Sequence, residues 1–520
     1  MYPKQIMIYD TTLRDGTQAE GISFSVHDKV RIAEKLDVFG VHYIEGGWPG
    51  SNPKDIAFFD AAKRLKWRNA RICAFGSTCR AKIGPSADPQ IALLLSAETP
   101  AVTVVGKSWR LHVEQILGVS LEENRRMIRE SVAYLKSRGR EVIFDAEHFF
   151  DGYKDDSRHA MGSLEAAVEG GADVIVLCDT NGGAMVYEVS DITSSVVRAL
   201  STPIGIHTHN DCELGVANAL AAIRAGAIQV QGTINGYGER TGNCNLTSVI
   251  PNLQLKLGNK VVPDLGRLRD LSVFVDELAN CQHNIRAPYV GTTAFTHKGG
   301  LHAHAVQKVA RSYEHIEPQA VGNRQHIVVS ELSGQSNVLA KTRELGFELE
   351  KGSLNVTAIL QEVKRLEHLG YEFEAAEASF ELLIRRVLGP TEPFWELLEY
   401  HCTYIRSVRN NYETCEATVK LRLKNEDIYT VAEGDGPVNA LDAALRKALI
   451  PVYPSIEQVT LDDYKVRIIG SSQGTGARTR VLIDSTDHHD NWCTVGVSDN
   501  IIEASWLALV DSYEYKLRRT

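Results

Sequence analysis

Three stretches of this chain carry residue types, at suitable spacing, for metal-assisted chemistry on an oxygen-rich substrate. The first is Asp10-Thr11-Thr12-Leu13-Arg14-Asp15-Gly16-Thr17-Gln18, behind the apolar run Ile6-Met7-Ile8-Tyr9, which reads as a buried strand. A guanidinium at that strand end can fork onto a carboxylate or an enolate. The carboxylate beside it is a hard oxygen ligand for a divalent ion. Taken alone, Arg14-Asp15 has an ordinary reading as an exposed turn with a surface ion pair. The second stretch is His207-Thr208-His209, behind Ile204-Gly205-Ile206. Side chains two apart on a strand point the same way. Both imidazoles can then address one ion, or both can be satisfied structural histidines. Two histidines with Asp15 form a set with open positions, suited to a divalent ion that also binds substrate. The third is Gly236-Tyr237-Gly238-Glu239-Arg240-Thr241-Gly242-Asn243. Asn243 either adds a carbonyl ligand or serves the turn. No thiolate is placed to join them, which leaves Mg²⁺, Mn²⁺ or catalytic Zn²⁺ and excludes structural zinc.

These groups need a frame that gathers strand ends. Eight strand candidates run along the first half: Gln5–Tyr9, Val41–Glu45, Ala70–Phe75, Ala101–Val105, Glu141–Asp145, Asp173–Cys178, Pro203–His207 and Ile228–Thr233. Helical patterns alternate with them, at Asp28–Phe39, Lys54–Trp67, Leu121–Ser137, Ser157–Glu169, Tyr187–Leu200 and Leu214–Ala225, with glycine stops at Gly40, Gly139, Gly170 and Gly226. Count and length match a (β/α)8 TIM barrel. A doubly wound sheet would bring a Gly-rich dinucleotide loop after the first strand, and none is present. Barrel enzymes carry catalytic groups at the C-terminal strand ends. Here those ends hold Arg14 and Asp15, Glu45, Glu147 and His148, Asp179 and Thr180, and His207 with His209.

Composition is that of a folded protein, 43% hydrophobic and 23% charged, and the net charge of -10 leaves no basic footprint for nucleic acid. Nine scattered cysteines without a CxxC pair fit reduced thiols in the cytoplasm. No secretory leader pattern and no apolar run of membrane length is visible. The expected organisation is an α/β barrel over 1–280, helical linker subdomains over 281–403 and an α+β domain over 404–520. Helical patterns appear at Gln335–Leu345, Val356–Leu369 and Ala375–Leu388, the last broken by Gly389-Pro390. From about Tyr404 a β-β-β-α pattern reads twice, through Glu413–Leu423 and Asp427–Ala432, then Tyr464–Gly470, Arg478–Ser485 and Asn491–Val497. The copies align at Asn439/Asn500, Asp442/Glu503 and Ala443/Ala504.

The three motifs together resemble the DRE-TIM metallolyase superfamily, and within it the 2-isopropylmalate, homocitrate and citramalate synthases. That resemblance implies condensation of acetyl-CoA with a 2-oxo acid, followed by thioester hydrolysis. It assigns Asp15, His207, His209 and Asn243 to the metal and Arg14 to the keto oxygen. It assigns Thr180 to the substrate carboxylate, Glu147 to general acid–base work, and Glu45 and Gln18 to the neighbourhood of acetyl-CoA. His297-Lys298-Gly299-Gly300-Leu301-His302-Ala303-His304 is similar to the family's linker segment, whose histidine reaches the partner subunit's active site in relatives. His302 is the match, and Gly stands here where the family more often has Ser. The doubled C-terminal pattern resembles the regulatory, dimerising domain of 2-isopropylmalate synthase, which implies a homodimer controlled by a branched-chain amino acid.

Two local stretches point further. Ile44-Glu45-Gly46-Gly47-Trp48-Pro49-Gly50 and Phe144-Asp145-Ala146-Glu147-His148-Phe149 look like a citramalate-forming subgroup acting on pyruvate, giving (R)-citramalate for isoleucine biosynthesis with isoleucine as the feedback effector. Phe75, Phe144 or Trp48 is the candidate wall against larger substrates. The alternatives are 2-isopropylmalate formation from 2-oxoisovalerate, a lyase or aldolase of the same barrel, and an amino-acid sensor on an inactive barrel.

Overall fold

The computed structural model describes residues 6–297, 302, 305–306, 308–327, 335–350, 352–373, 375–389, 392–408, 412–469 and 477–520. Two compact units divide the chain, one of residues 1–295 with 316–324 and one of 296–315 with 325–520.

In the first unit a closed parallel barrel runs β1 (Met7–Asp10), β2 (Tyr43–Gly47), β3 (Arg71–Ser77), β4 (Ala101–Lys107), β5 (Glu141–Glu147), β6 (Val174–Asp179), β7 (Ile204–Thr208) and β8 (Gln229–Gly232), with β1 pairing β8. All eight expected strands form. Four of them, β2, β6, β7 and β8, are buried along their whole length, as expected of parallel strands covered by helices. Helices return the chain between strands. Ser25 starts the first, Val26–Phe39, with a capping box to Asp28, and Gly40 ends it at φ 97°. The expected stop at Gly170 shifts one residue: Gly170 is the last helical residue and Gly171 takes the left-handed conformation. The helix expected over Lys54–Trp67 ends at Ala62, and the Trp67 indole folds back to donate to the Ala62 carbonyl at 3.1 Å. The main apolar core lies between strands and helices. A small cluster of Tyr9, Tyr43, Cys73, Ala101, Ile143, Val174, Val176 and Cys178 fills the lower barrel interior, and above it the interior turns polar.

The second unit contains two antiparallel three-stranded sheets, each followed by a helix. The first is Glu396–Ser407, Tyr412–Leu423 and Glu426–Gly434, then the helix Pro437–Leu449. The second is Thr460–Ile469, Arg478–Thr486 and Asn491–Ser498, then Ile501–Leu517. The doubled βββα pattern therefore holds, with its first strand starting ahead of Tyr404. The equivalences differ from the sequence alignment. Thr430 Oγ1 donates to the Ala444 carbonyl at 2.8 Å, and Thr494 Oγ1 donates to that of Ala508 at 2.7 Å. These matching bonds pair Ala440 with Ala504 and set Asn439 opposite Glu503, rather than Asn439 opposite Asn500. Asn500 caps its helix, whereas Asn439 already lies inside its own. Helices Gln335–Glu344, Leu354–His368 and Glu377–Leu388 precede the sheets. Of the histidine-rich linker segment, His297 and His302 are described; Lys298 to Leu301, Ala303 and His304 lie outside the described residues, as do Gln5, Pro390 and Gly470. Among the described residues no helix is long and apolar enough to cross a membrane.

Candidate metal and substrate site

The turn after β1 is wound around one carbonyl. Thr11 O accepts from the backbone N–H groups of Arg14 (3.1 Å), Asp15 (2.9 Å) and Gly16 (3.0 Å). Asp10 ties the turn down by accepting from the Thr12 backbone N–H and hydroxyl, both at 2.9 Å, and the Thr12 hydroxyl oxygen accepts from Ile234 N at 2.9 Å. The result aims Arg14 and Asp15 into a cavity of about 520 Å³ at the C-terminal strand ends. Gln18, Glu147, Thr180, His207 and His209 line the same cavity.

Asp15, His207 and His209 are all buried, and each can offer one ligand atom with all of these within 4.8 Å of one another. The two Nε2 atoms are 3.3 Å apart, and His207 Nε2 is 3.5 Å from Asp15 Oδ2. Burial holds both imidazoles below the usual histidine range, His209 down to about 4. Burial alone would raise Asp15, but Arg14 and the two imidazoles outweigh it and hold the carboxylate below its ordinary value. Asn243 reaches the cluster through the loop after β8, bridging backbone to backbone with His209. Only glycine fits at Gly242, with φ 93° and the Gly236 carbonyl oxygen 1.9 Å from where a Cβ would stand. Asn243 Nδ2 donates to Tyr237 O at 3.1 Å, while its Oδ1 is buried without a hydrogen-bond partner. Two imidazoles and a carboxylate converge, with the Asn243 side chain close by. That donor set fits a divalent cation.

Arg14 is fixed from behind. Its Nε donates to Glu45 Oε1, its guanidinium carbon lies 3.8 Å over the centre of the Phe75 ring, and one Nη is 3.4 Å from Asp15. Burial disfavours its charge, but Glu45 and Asp15 more than compensate and raise its pKa. Glu45 is 0% exposed. It accepts from Tyr9 OH, from Thr11 Oγ1 at 2.6 Å and from Arg14. Both Glu45 oxygens are taken up beneath Arg14, and Glu45 is not among the residues lining the cavity. Gln18 does line it. Thr180 Oγ1 accepts from the backbone N–H of His148 at 2.9 Å, which leaves the hydroxyl proton to donate. The helix after it starts at Val186, so Thr180 is not its cap. Glu147 pairs with Lys107 Nζ at the rim. His302 belongs to the second unit, where it is exposed and stacks on Tyr313 with ring centres 4.2 Å apart.

Of the three aromatic wall candidates, Phe75 and Trp48 line the cavity and pack edge to face at 5.6 Å. Phe144 is wholly buried among the apolar residues of the main core. Sequence reasoning missed Lys107, because strand 4 was ended at Val105 and runs to Lys107. It also missed Asp145 and Gln231. Burial, with Glu45 next, pushes Asp145 up to about 8. The visible signal was two glutamines inside the strand Gln229-Val230-Gln231-Gly232, both buried. Gln231 finds its polar partners in Asp145 and His207, whereas both amide atoms of Gln229 are buried without one.

The sequence matches the HMGL-like family over residues 5–275, the homocitrate synthase post-HMGL domain-like family over 289–370, and the LeuA allosteric (dimerisation) domain over 374–517. An (R)-citramalate synthase of Aquifex aeolicus is 54% identical over 99% of this chain and 98% of its own length. One from Geobacter sulfurreducens is 51% identical over 99% and 98%. A probable 2-isopropylmalate synthase of Methanopyrus kandleri is 33% identical over 99% of both.

Proposed function

This chain belongs to the (R)-citramalate synthase family, and from that premise we propose that it condenses acetyl-CoA with pyruvate and hydrolyses the resulting thioester, giving (R)-citramalate and CoA. The observation that carries the reading is the convergence of Asp15, His207 and His209 beside Arg14 in one cavity. Asp15, His207, His209 and Asn243 hold a divalent ion, Mg²⁺, Mn²⁺ or Zn²⁺. When bound, the ion supplies Lewis-acid polarisation of the 2-oxo acid. Arg14 spends its Nε on Glu45 and presents its terminal nitrogens to the negative charge that grows on the keto oxygen. Thr180 donates its free proton to the substrate carboxylate. Glu147, steadied by Lys107, removes a proton from the acetyl methyl group, and the enolate carbon then attacks the keto carbon. Gln18 contacts the acetyl-CoA. His302 assists hydrolysis, in which water adds to the thioester carbon and CoA leaves as the thiol.

The second unit acts as a dimerisation domain that senses a branched-chain amino acid, isoleucine in this reading. The LeuA domain match supports it. The pathway served is isoleucine biosynthesis, in the cytoplasm, where nine free thiols are at home.

Thiol release from acetyl-CoA tests the chemistry. It should require pyruvate and a divalent ion, stop with EDTA and return on adding the ion back. His207→Ala should lose both metal and turnover. Equal or faster turnover with 2-oxoisovalerate would replace this reading with 2-isopropylmalate synthesis. Isoleucine at millimolar concentration should inhibit; no response to isoleucine or leucine would leave the second unit as a dimerisation domain alone.

A further inference from the structure

Behind the metal set lies a buried polar chain that the reaction above does not use. Gln231 on β8 is the direct neighbour of His207 on β7 in the barrel register, so both side chains enter the interior side by side. Gln231 is 1% exposed and Asp145 3% exposed. Gln231 Nε2 donates to Asp145 Oδ1 at 3.0 Å, and Gln231 Oε1 lies 3.0 Å from His207 Nδ1. A carbonyl oxygen can only accept, so His207 Nδ1 carries the ring proton. Nε2 is then a bare lone pair, directed at His209 Nε2 and Asp15 Oδ2. Free imidazole in water prefers the opposite tautomer, with the proton on Nε2, which would put an N–H where a ligand is needed.

We propose that Gln231 is a positioning residue that fixes His207 in its metal-binding tautomer, with Asp145 holding the Gln231 amide in the required orientation. Such an outer partner sets both ring orientation and ligand basicity. Gln231 is not among the residues lining the cavity at the strand ends; it acts through His207. For its consequence the inference rests on the metal reading above, but the tautomer itself does not.

The test uses the full chain, stripped of metal with a chelator and labelled with ¹⁵N-histidine. Long-range ¹⁵N–¹H correlations report which nitrogen of His207 is protonated. A titration with Mn²⁺, following the free ion by electron paramagnetic resonance, reports affinity. The parent chain should show Nδ1–H. Gln231→Leu should move His207 toward Nε2–H and weaken Mn²⁺ binding by ~10–100-fold. Gln231→Glu keeps an acceptor at Nδ1 and should restore the tautomer and most of the affinity, a rescue that a mere packing role would not show. Asp145→Asn puts an amide that can donate where a carboxyl oxygen accepts from Gln231, and should shift the tautomer in the same direction by less; it also serves if Gln231→Leu fails to fold. Parent-like tautomer and Mn²⁺ affinity in both Gln231→Leu and Asp145→Asn would overturn the inference, as would Nε2–H in the parent chain. A parent chain that shows Nδ1–H but binds no Mn²⁺ would sink the metal reading and leave this one standing.

Discussion

Glu45→Gln separates two accounts of one residue. The buried carboxylate accepts from Tyr9, Thr11 and Arg14 at once. A glutamine there keeps one carbonyl oxygen, so the bond from Thr11 loses charge assistance, the Tyr9 hydroxyl meets an amide N–H in place of a carboxylate oxygen, and the Arg14 bond keeps only the guanidinium's charge. Hydrogen bonds to charged groups contribute roughly 1.5–3 kcal/mol against about 0.5–1.5 for neutral ones, so two such bonds put the stability loss at ~2–3 kcal/mol. Arg14 loses the partner that outweighs its burial. Held then by Phe75, Asp15 and a neutral amide oxygen, its guanidinium need drift by only ~1 Å to cost ~100-fold in turnover. The assay is thiol release with each substrate varied in turn, alongside urea unfolding. We expect kcat/KM for pyruvate to fall by ~100-fold and KM for acetyl-CoA to stay within about twofold. Tyr9→Phe removes one donor and spares the Arg14 bond. It should lose ~1 kcal/mol of stability and little activity. A Glu45→Gln enzyme with an intact kcat, intact stability and a raised acetyl-CoA KM would refute the anchoring argument and return Glu45 to the thioester.

Asp10 ties down the same turn, and its burial pushes its pKa up to about 7 from 3.8. The folded state therefore binds this proton more tightly than the unfolded chain, and stability from this group is full below pH ~4 and falls as pH rises toward 7. Asp10→Asn should flatten that decline in denaturation midpoints measured across pH 4–7, and an unchanged slope would show that Asp10 is not its source. Phe75→Leu opens the wall beside Arg14 and should raise turnover of 2-oxobutanoate relative to pyruvate by ~10-fold, the scale of one added methylene. If the ratio stays put while kcat falls, Phe75 serves only to cover Arg14. His302→Ala and Asp15→Asn, each nearly inactive alone, should regain activity when co-assembled if His302 works across subunits. Mixed dimers as inactive as their parents would confine it to its own chain.

The barrel was legible because its signals are local and repeated. Each strand is a short apolar run, each helix has a cap or a stop, and the alternation leaves few architectures. The metal set was legible for a related reason: Asp15, His207 and His209 sit at strand ends, and closure of the barrel brings strand ends together. What spacing could not show are the contacts between partners distant in sequence. Glu45 was read from its position at a strand end, which fixes where the residue is but not where its oxygens go. Its partners Tyr9 and Arg14 lie on the preceding strand and turn, and no spacing rule says that three donors will converge on one buried carboxylate. The repeat in the second unit was aligned on matching asparagines, whereas the shared feature is a threonine hydroxyl bonded to a helix carbonyl in each copy. Lys107 was lost to a strand ended two residues early. Asp145 and Gln231 were passed over because polar residues inside a strand read as flaws in a pattern. In a barrel interior the inference runs the other way. Gln231, buried at the level of the strand ends, is satisfied by Asp145 and His207, beside the reacting groups. Polar interruptions in the last turn of a barrel strand are therefore as informative as the conspicuous residues beyond it.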